Sequence, residues 1–338
     1  MSGGAVVCFG EMLIRLSPPG QELLLQSPAL RVVYGGAEAN VAVGLSRLGR
    51  RARMVSVVPD NDLGRAALGE LRRWGVDGSG VRFGPGRMGL YFVTPGAALR
   101  STEVLYDRAN SAFSRAGPEV YDWQRELDGA AWLHLSGITP ALGAAGAQAC
   151  LAAARAARAR GVKVCFDGNY RAHLWAERPG EAPAILRDLL ACADLALVTE
   201  RDLALALERE FTREDDLLSR ADAAAAAFEA FPNLERIAAL LRSGGPEGPH
   251  QLSATMATRE RSIVAETLSL PVIVDRIGAG DAFAAGLLHG LLSAASDEPA
   301  LACGVRSAAL KHGVAGDFSM ATAADLAAFD APWTDVRR

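Results

Sequence analysis

The sequence predicts an α/β protein: a mostly parallel β-sheet flanked by helices, with a small second β-sheet beside it. Two observations carry this expectation. Short β-branched runs alternate with longer Ala/Leu-rich runs of helical spacing along most of the chain, a rhythm that implies parallel βαβ units with helices over both sheet faces. Two stretches break the rhythm, 12–34 and 87–107, where Pro/Gly turns join short strands and no crossover helix intervenes. At 338 residues, half of them hydrophobic, the chain can bury the core of one large α/β domain or of two small ones, and of these we read it as a single domain over 1–338.

Each element has its own signal. AVVCFG (5–10) reads as a strand, GGAEANVAVGLSRLG (35–49) as a glycine turn entering a helix, ARMVSVV (52–58) as a strand and LGRAALGELRRWG (63–75) as a helix. The alternation resumes with AAWLHLSG (130–137), GAAGAQACLAAARAARARG (143–161), VKVCFDGN (162–169), EAPAILRDLLACA (181–193) and DLALVT (194–199). SRADAAAAAFEAF (219–231) is Ala-rich but helically spaced. LPVIV (270–274) reads as a short buried strand, followed by a glycine turn and a helix carrying Phe283, Leu287 and Leu288 on one face. The segments 12–34 and 87–107 fit a flap over the ligand edge of the sheet or a contact between copies of the chain. In sheets of this kind ligands bind at the carboxyl ends of the strands, so motifs there carry the functional reading.

Composition narrows the partners. A net charge of −4 leaves no footprint for nucleic acid or an anionic membrane, so a small ligand is expected. Five cysteines without CxxC spacing suit reduced, buried thiols and a cytoplasmic setting. MSGGAVVCFGEM enters a strand without a basic region or a long apolar segment, the pattern of a chain with no signal peptide. No run of 18 uncharged apolar residues occurs. The five histidines show no ligand spacing, and no protein-built metal site is expected.

The chemistry is concentrated in VDRIGAGDAFAAGLLHG (274–290). Gly278, Ala279 and Gly280 precede Asp281 at a helix start, where free N–H groups form a donor cluster suited to a phosphate oxygen. Asp281 is either a helix cap or a chemical group placed at that anion site. The stretch lacks the third glycine of a dinucleotide fingerprint, Phe283 standing in its place, and the chain has no P-loop. Further upstream, Gly35 and Gly36 open a helix bearing Asn40, whose amide can both donate to and accept from sugar hydroxyls.

In this order and separation, GGAEANVAVGLSRLG, VVPDNDLGRAALGELRRWGVD and GAGDAFAAG resemble the signatures of the ribokinase (PfkB) family of carbohydrate kinases, over nearly the whole chain. AEAN, YDRANSAFS (106–114), FDGNYRAHLW (166–175), FPNLERIAALLR (231–242) and LKHGVAGDFSM (310–320) most resemble the 2-keto-3-deoxygluconate kinases of that family. The resemblance implies a ribokinase-like fold with a β lid, self-association through the lid sheet, and ATP-dependent phosphorylation of a sugar acid with magnesium arriving on the nucleotide. It makes Asp281 the base that takes the proton from the attacking hydroxyl, and Gly278, Ala279 and Gly280 the anion hole. It places Gly35, Gly36, Asn40, Tyr91, Tyr106, Arg108, Arg171 and Asp317 on the substrate, with the arginines facing its carboxylate. It places Asn169, Arg171, Arg242, Gly245, Gly278, Gly280 and His312 on the nucleotide. A helix-packing role is the alternative for His312.

Two departures stand out. TERD (199–202) replaces the family's Asn-x-x-Glu, leaving Asp202 as a water-mediated metal contact, and the loop 240–254 is unusually long and rich in Gly and Pro. A kinase of a neutral sugar such as fructose or ribose, and a silent sugar-binding regulator, are the alternatives. The intact GAGD argues against a pure binder, and the missing fingerprint argues against a nicotinamide dehydrogenase.

Overall fold

The β-branched run Ala5–Phe9 forms β1, an inner strand of the larger sheet in which Val6, Val7, Cys8 and Phe9 are fully buried. Strand periodicity sends Val6 and Cys8 into the core on one face, and Val7 and Phe9 into the core on the other. Such two-sided burial is what a parallel sheet covered by helices requires. The computed structural model describes residues 4–97, 99–211, 217–244, 249–293 and 295–330.

From β1 the chain leaves the sheet for β2 (Leu13–Ser17) and β3 (Arg31–Gly35), then returns through α1 (Ala37–Arg47), β4 (Ala52–Pro59), α2 (Asp62–Arg73) and β5 (Asp77–Gly84). Asn61 fixes the start of α2 by accepting from the backbone N–H groups of Leu63 and Gly64 at 3.0 and 3.1 Å. A second excursion makes β6 (Gly89–Thr94) and β7 (Glu103–Asp107). The body continues with α3 (Trp123–Glu126), β8 (Ala130–Ser136), α4 (Ile138–Ala141), α5 (Ala144–Ala159) and β9 (Lys163–Asp167). Then come α6 (Ala182–Leu190), β10 (Leu195–Leu197), α7 (Glu200–Leu207), α8 (Leu217–Ala230) and β11 (Arg236–Ser243). Strands β12 (His250–Ala257), β13 (Ser262–Val264) and β14 (Leu268–Leu270) finish the sheet, and α9 (Ala279–Leu292), α10 (Asp297–His312) and α11 (Ala323–Ala327) finish the described chain.

The larger sheet has ten strands in the order β13-β12-β11-β10-β9-β8-β1-β4-β5, with β14 on β12. It is parallel from β5 to β11 and turns antiparallel at β12. All carboxyl ends of the parallel strands therefore lie along one edge. The two excursions join in a separate four-stranded sheet, β3-β2-β6-β7, whose central pair is parallel and whose outer pairs are antiparallel. The paired short strands expected in 12–34 and 87–107 are thus present.

One element differs. In LPVIV only Leu270 is strand-paired, and Val272 and Val274 are 71% and 57% exposed. Pro271 has no N–H to give a ladder, and the chain swings outward to reach α9. The turn and helix that follow are as expected: Phe283, Leu287 and Leu288 are buried. All five cysteines are free thiols, with Cys8, Cys150 and Cys165 in the core.

Candidate active site

A cavity of about 1060 Å³ lies where the larger sheet's carboxyl edge meets the small sheet. Glu11 follows β1, Asp167 ends β9, Val198 follows β10 and Leu240 lies on β11; Tyr91, Val104 and Tyr106 reach in from the small sheet. Placement at this edge follows from the parallel topology.

Asp281 sits in the first turn of α9 and lines the cavity. Its Oδ2 accepts a 2.6 Å hydrogen bond from Asn40 Nδ2 on α1, which brings together residues 241 apart in sequence. Burial pushes the Asp281 pKa up to about 7; the Asn40 bond opposes the shift, and the charges of Glu38 and Asp317 add to it. A helix-end carboxylate is expected to stay ionised; here lost hydration outweighs the helix donors. Gly278 caps α9 at φ 81°, and a Cβ there would lie 2.0 Å from the Asp317 carbonyl oxygen, so only glycine fits. Gly280 is exposed, and a Cβ there would meet no protein atom. Ala279 differs from the anion-hole expectation: it is fully buried, and its N–H turns back to Arg276 O at 3.3 Å. Among the described residues no backbone acceptor takes the N–H of Gly280 or Asp281.

The small sheet grips the body through charge. Arg15 on β2 is buried, and its Nη1 bridges Asp275 Oδ2 at 2.7 Å and Asp317 Oδ1 at 3.0 Å. The Tyr91 hydroxyl donates to the other Asp317 oxygen. Asp317 therefore lines the cavity with both oxygens engaged; burial raises its pKa, against the pull of Arg15 and Tyr91. Gly35 clears this carboxylate, since a Cβ would lie 2.1 Å from Asp317 Oδ2, and Gly36 clears the Glu11 carbonyl. Gly36 lines the cavity, whereas Gly35 lies behind it. Tyr106 stacks on His173 of the body with ring centroids 5.2 Å apart.

The expected carboxylate readers separate. Arg108 is buried, and Nε and Nη2 both donate to Glu11 Oε2, at 2.9 and 2.5 Å; Ser111 Oγ donates to Glu11 Oε1. Its charge is already compensated. Arg171 is exposed at the cavity, and its Nη1 donates to its neighbour's carbonyl, Tyr170 O, at 3.1 Å. Its charge lowers the pKa of Asp167, Asp202 and Asp281, in each case against a larger upward push from burial. Arg242 and Arg276 line the same side; burial, then the charges of Arg276 and Arg171, depress the Arg242 pKa. Asn169 also lines the cavity, in a left-handed conformation at φ 41°, the kind of strain that clusters at ligand sites.

His312 falls elsewhere, whereas Asp202 lines the cavity. His312 is buried, does not line the cavity, and bonds through Nδ1 to Ala308 O at 2.7 Å, the helix-packing alternative. Asp202 closes a capping box at the start of α7, its Oδ2 accepting from Thr199 N and Oγ1 at 2.8 Å each. Gly245 lies outside the described residues. Sequence reasoning also missed Arg15, Glu11, Glu38, Asp167 and Arg276. Glu38 is buried and accepts from Ser136 Oγ at 2.5 Å, and burial raises its pKa; burial likewise holds Asp167 well above the carboxylate range.

Residues 4–322 match the pfkB family of carbohydrate kinases. A 2-dehydro-3-deoxygalactonokinase of Haloferax volcanii is 34% identical over 317 residues, spanning 94% of this chain and 93% of that protein. A fructokinase of Klebsiella pneumoniae is 32% identical over 299 residues, spanning 85% and 84%. The crystal structure of the 2-dehydro-3-deoxygluconokinase of Thermotoga maritima superposes with a TM-score of 0.90 at 35% identity, covering 96% of this chain and 99% of that one. A glycine-capped carboxylate at the carboxyl edge of the sheet, a four-stranded sheet facing it and a match running nearly end to end place the chain in the pfkB family of carbohydrate kinases.

Proposed function

We propose that the protein transfers the γ-phosphoryl group of ATP to a hydroxyl of 2-keto-3-deoxygluconate, giving the 6-phosphate. Arg171 carries the substrate reading. It is a guanidinium in the cavity with no carboxylate partner among the described residues, and it offers a planar fork matched to a sugar acid, which a neutral sugar does not need. Relatives acting on sugar acids by name support it.

In this reading Asp281 takes the proton from the attacking hydroxyl and Asn40 fixes the carboxylate's orientation. The N–H groups at Gly278 and Gly280, with Arg242 and Arg276, face the transferring phosphates, where positioning and charge supply most of the catalysis. Asn169 lies beside them. Tyr91, Tyr106 and Arg108 reach the sugar from the small sheet, which acts as a lid on a single α/β domain. Among the described residues no three His, Cys, Asp or Glu side chains converge as metal ligands, so magnesium would be held by phosphates and water. The exposed Val32 and Leu105 on the outer lid strands suit packing against a second copy. Among the described residues no helix is long and apolar enough to cross a membrane, and buried free thiols suit a cytoplasmic setting.

The test is ADP release from ATP across a panel of 2-keto-3-deoxygluconate, 2-keto-3-deoxygalactonate, fructose and ribose. A sugar acid is expected to lead by at least tenfold in kcat/KM, about the worth of one charge-assisted bond. Fructose or ribose turned over as well would overturn the substrate assignment.

A further inference from the structure

The chain has only two lysines, Lys163 and Lys311. Lys163 is half-buried and paired with Glu235. Lys311, near the C-terminal end of α10, is 0% exposed. A buried ammonium carries a desolvation cost of several kcal/mol that hydrogen bonds and neighbouring charges must offset. Stability alone gives little reason for a charge here.

Its hydrogen bonds show what it holds. Lys311 Nζ donates to Val314 O at 2.9 Å and, more weakly, to Asp275 O at 3.5 Å. Those carbonyls belong to the two loops under the catalytic turn. Asp275 opens the segment that runs to Gly278 and Asp281, and Val314 opens the one that runs to Asp317. The loops are stitched at further points. Asp275 Oδ1 accepts from Ile277 N at 3.0 Å, and Oδ2 accepts from Gly316 N at 3.0 Å. Val274 and Asp275 N–H both donate to His312 O, at 2.8 and 3.3 Å, and Gly278 packs directly on the Asp317 backbone. The ammonium thus lies behind the turn whose front face presents the N–H groups of α9. Burial lowers the Lys311 pKa, while the charges of Asp275, Asp317 and Asp281 support its charged form.

We propose that Lys311 is a positioning residue for phosphoryl transfer: its buried ammonium clamps the 275–280 turn to the 314–317 loop and sets a fixed positive charge behind the anion-binding N–H groups. The proposal rests on the kinase reading but not on which sugar is the substrate. Preorganised charge of this kind acts where charge develops in the transition state and needs no rearrangement at the moment of reaction.

Two variants test it, on whichever sugar the wild type turns over best, so that failure of the substrate assignment leaves this test intact. Lys311→Met keeps most of the volume and removes the charge. It is expected to stay folded, keep its sugar KM within a few fold, and lose kcat by about 10- to 100-fold, below the loss for removing a direct oxyanion donor. Lys311→Ala leaves a space bounded by the Asp275 and Val314 carbonyl oxygens. At constant ionic strength, ammonium or methylammonium chloride should restore its kcat several fold while leaving the wild type flat. Wild-type kcat in Lys311→Met overturns the proposal. So does a loss of folding, or of sugar affinity, in step with kcat in both variants without rescue, which would make the lysine structural.

Discussion

Asn40 Nδ2 donates to Asp281 Oδ2 at 2.6 Å, and this bond opposes the burial that lifts the Asp281 pKa to about 7. If Asp281 is the base it must be deprotonated to act, so kcat/KM is expected to rise with pH through about 7 and level off above it. In Asn40→Ala the ionised form loses its donor, and the acid limb should move up. A hydrogen bond to a charged group is worth about 1.5 to 3 kcal/mol, or about one to two pH units. A pH profile of both proteins measures it. An unmoved limb would show that Asn40 does not tune the base.

Asp281→Asn keeps the shape and removes proton acceptance. Turnover should fall by about 10² to 10⁴ with little change in sugar KM, the signature of a group acting in the transition state. Stability should move the other way. A carboxyl whose folded pKa is raised from 3.8 to about 7 binds its proton more tightly folded than unfolded, so its contribution is full at acid pH and is lost as pH rises through about 7. The variant is therefore expected to melt higher than wild type at pH 8 and to lose that advantage near pH 4. Thermal unfolding at the two pH values decides it.

How far the sequence reached depends on distance along the chain. Strand and helix alternation is local, and it was legible; so was the glycine turn before α9, since φ 81° at Gly278 demands glycine. The two hairpins and the small sheet they form were legible from their turns, although the parallel pairing of β2 with β6 was not. LPVIV failed because β-branched composition cannot tell a buried strand from an exposed edge segment. Glu11 was missed, and with it the neutralisation of Arg108, 97 residues away. A usable signal existed: Glu11 and Asp167 stand at or just past the carboxyl ends of β1 and β9, where a parallel sheet places its ligand groups.

Arg15 ties the small sheet to the body through Asp275 and Asp317, with side-chain exposures of 7%, 10% and 2%. If that sheet is a lid, amides in β2 and β6 should exchange more slowly once sugar is bound, because closure excludes water from the reaction. Arg15→Ala takes the bridging guanidinium from two buried carboxylates, and breaking such a pair costs about 3 to 5 kcal/mol. It should speed exchange in β2 and β6 by about 10²-fold or more and raise the sugar KM. Hydrogen exchange with and without sugar measures both; equal protection in the two states would mean a fixed sheet.

Arg108 and Arg171 enter the cavity in opposite electrostatic states, and their alanine variants should part accordingly. Arg108 and Glu11 form a buried pair, with side-chain exposures of 8% and 2%. Removing the guanidinium strands Glu11, a loss of about 3 to 5 kcal/mol. Arg108→Ala should therefore melt lower and lose activity on sugar acids and neutral sugars alike. Arg171 is exposed and makes no ion pair within 4.0 Å among the described residues, so Arg171→Ala should leave stability within about 0.5 kcal/mol of wild type. If Arg171 reads the substrate carboxylate, the variant loses about 10- to 100-fold in kcat/KM on 2-keto-3-deoxygluconate, the worth of one charge-assisted hydrogen bond. Residual turnover of fructose should change much less. Equal losses on both substrates would move Arg171 from the sugar to the phosphates, where its pull on Asp281 already places its charge. Melting temperature and the kcat/KM ratio between the two substrates, measured on the same preparations, separate these outcomes.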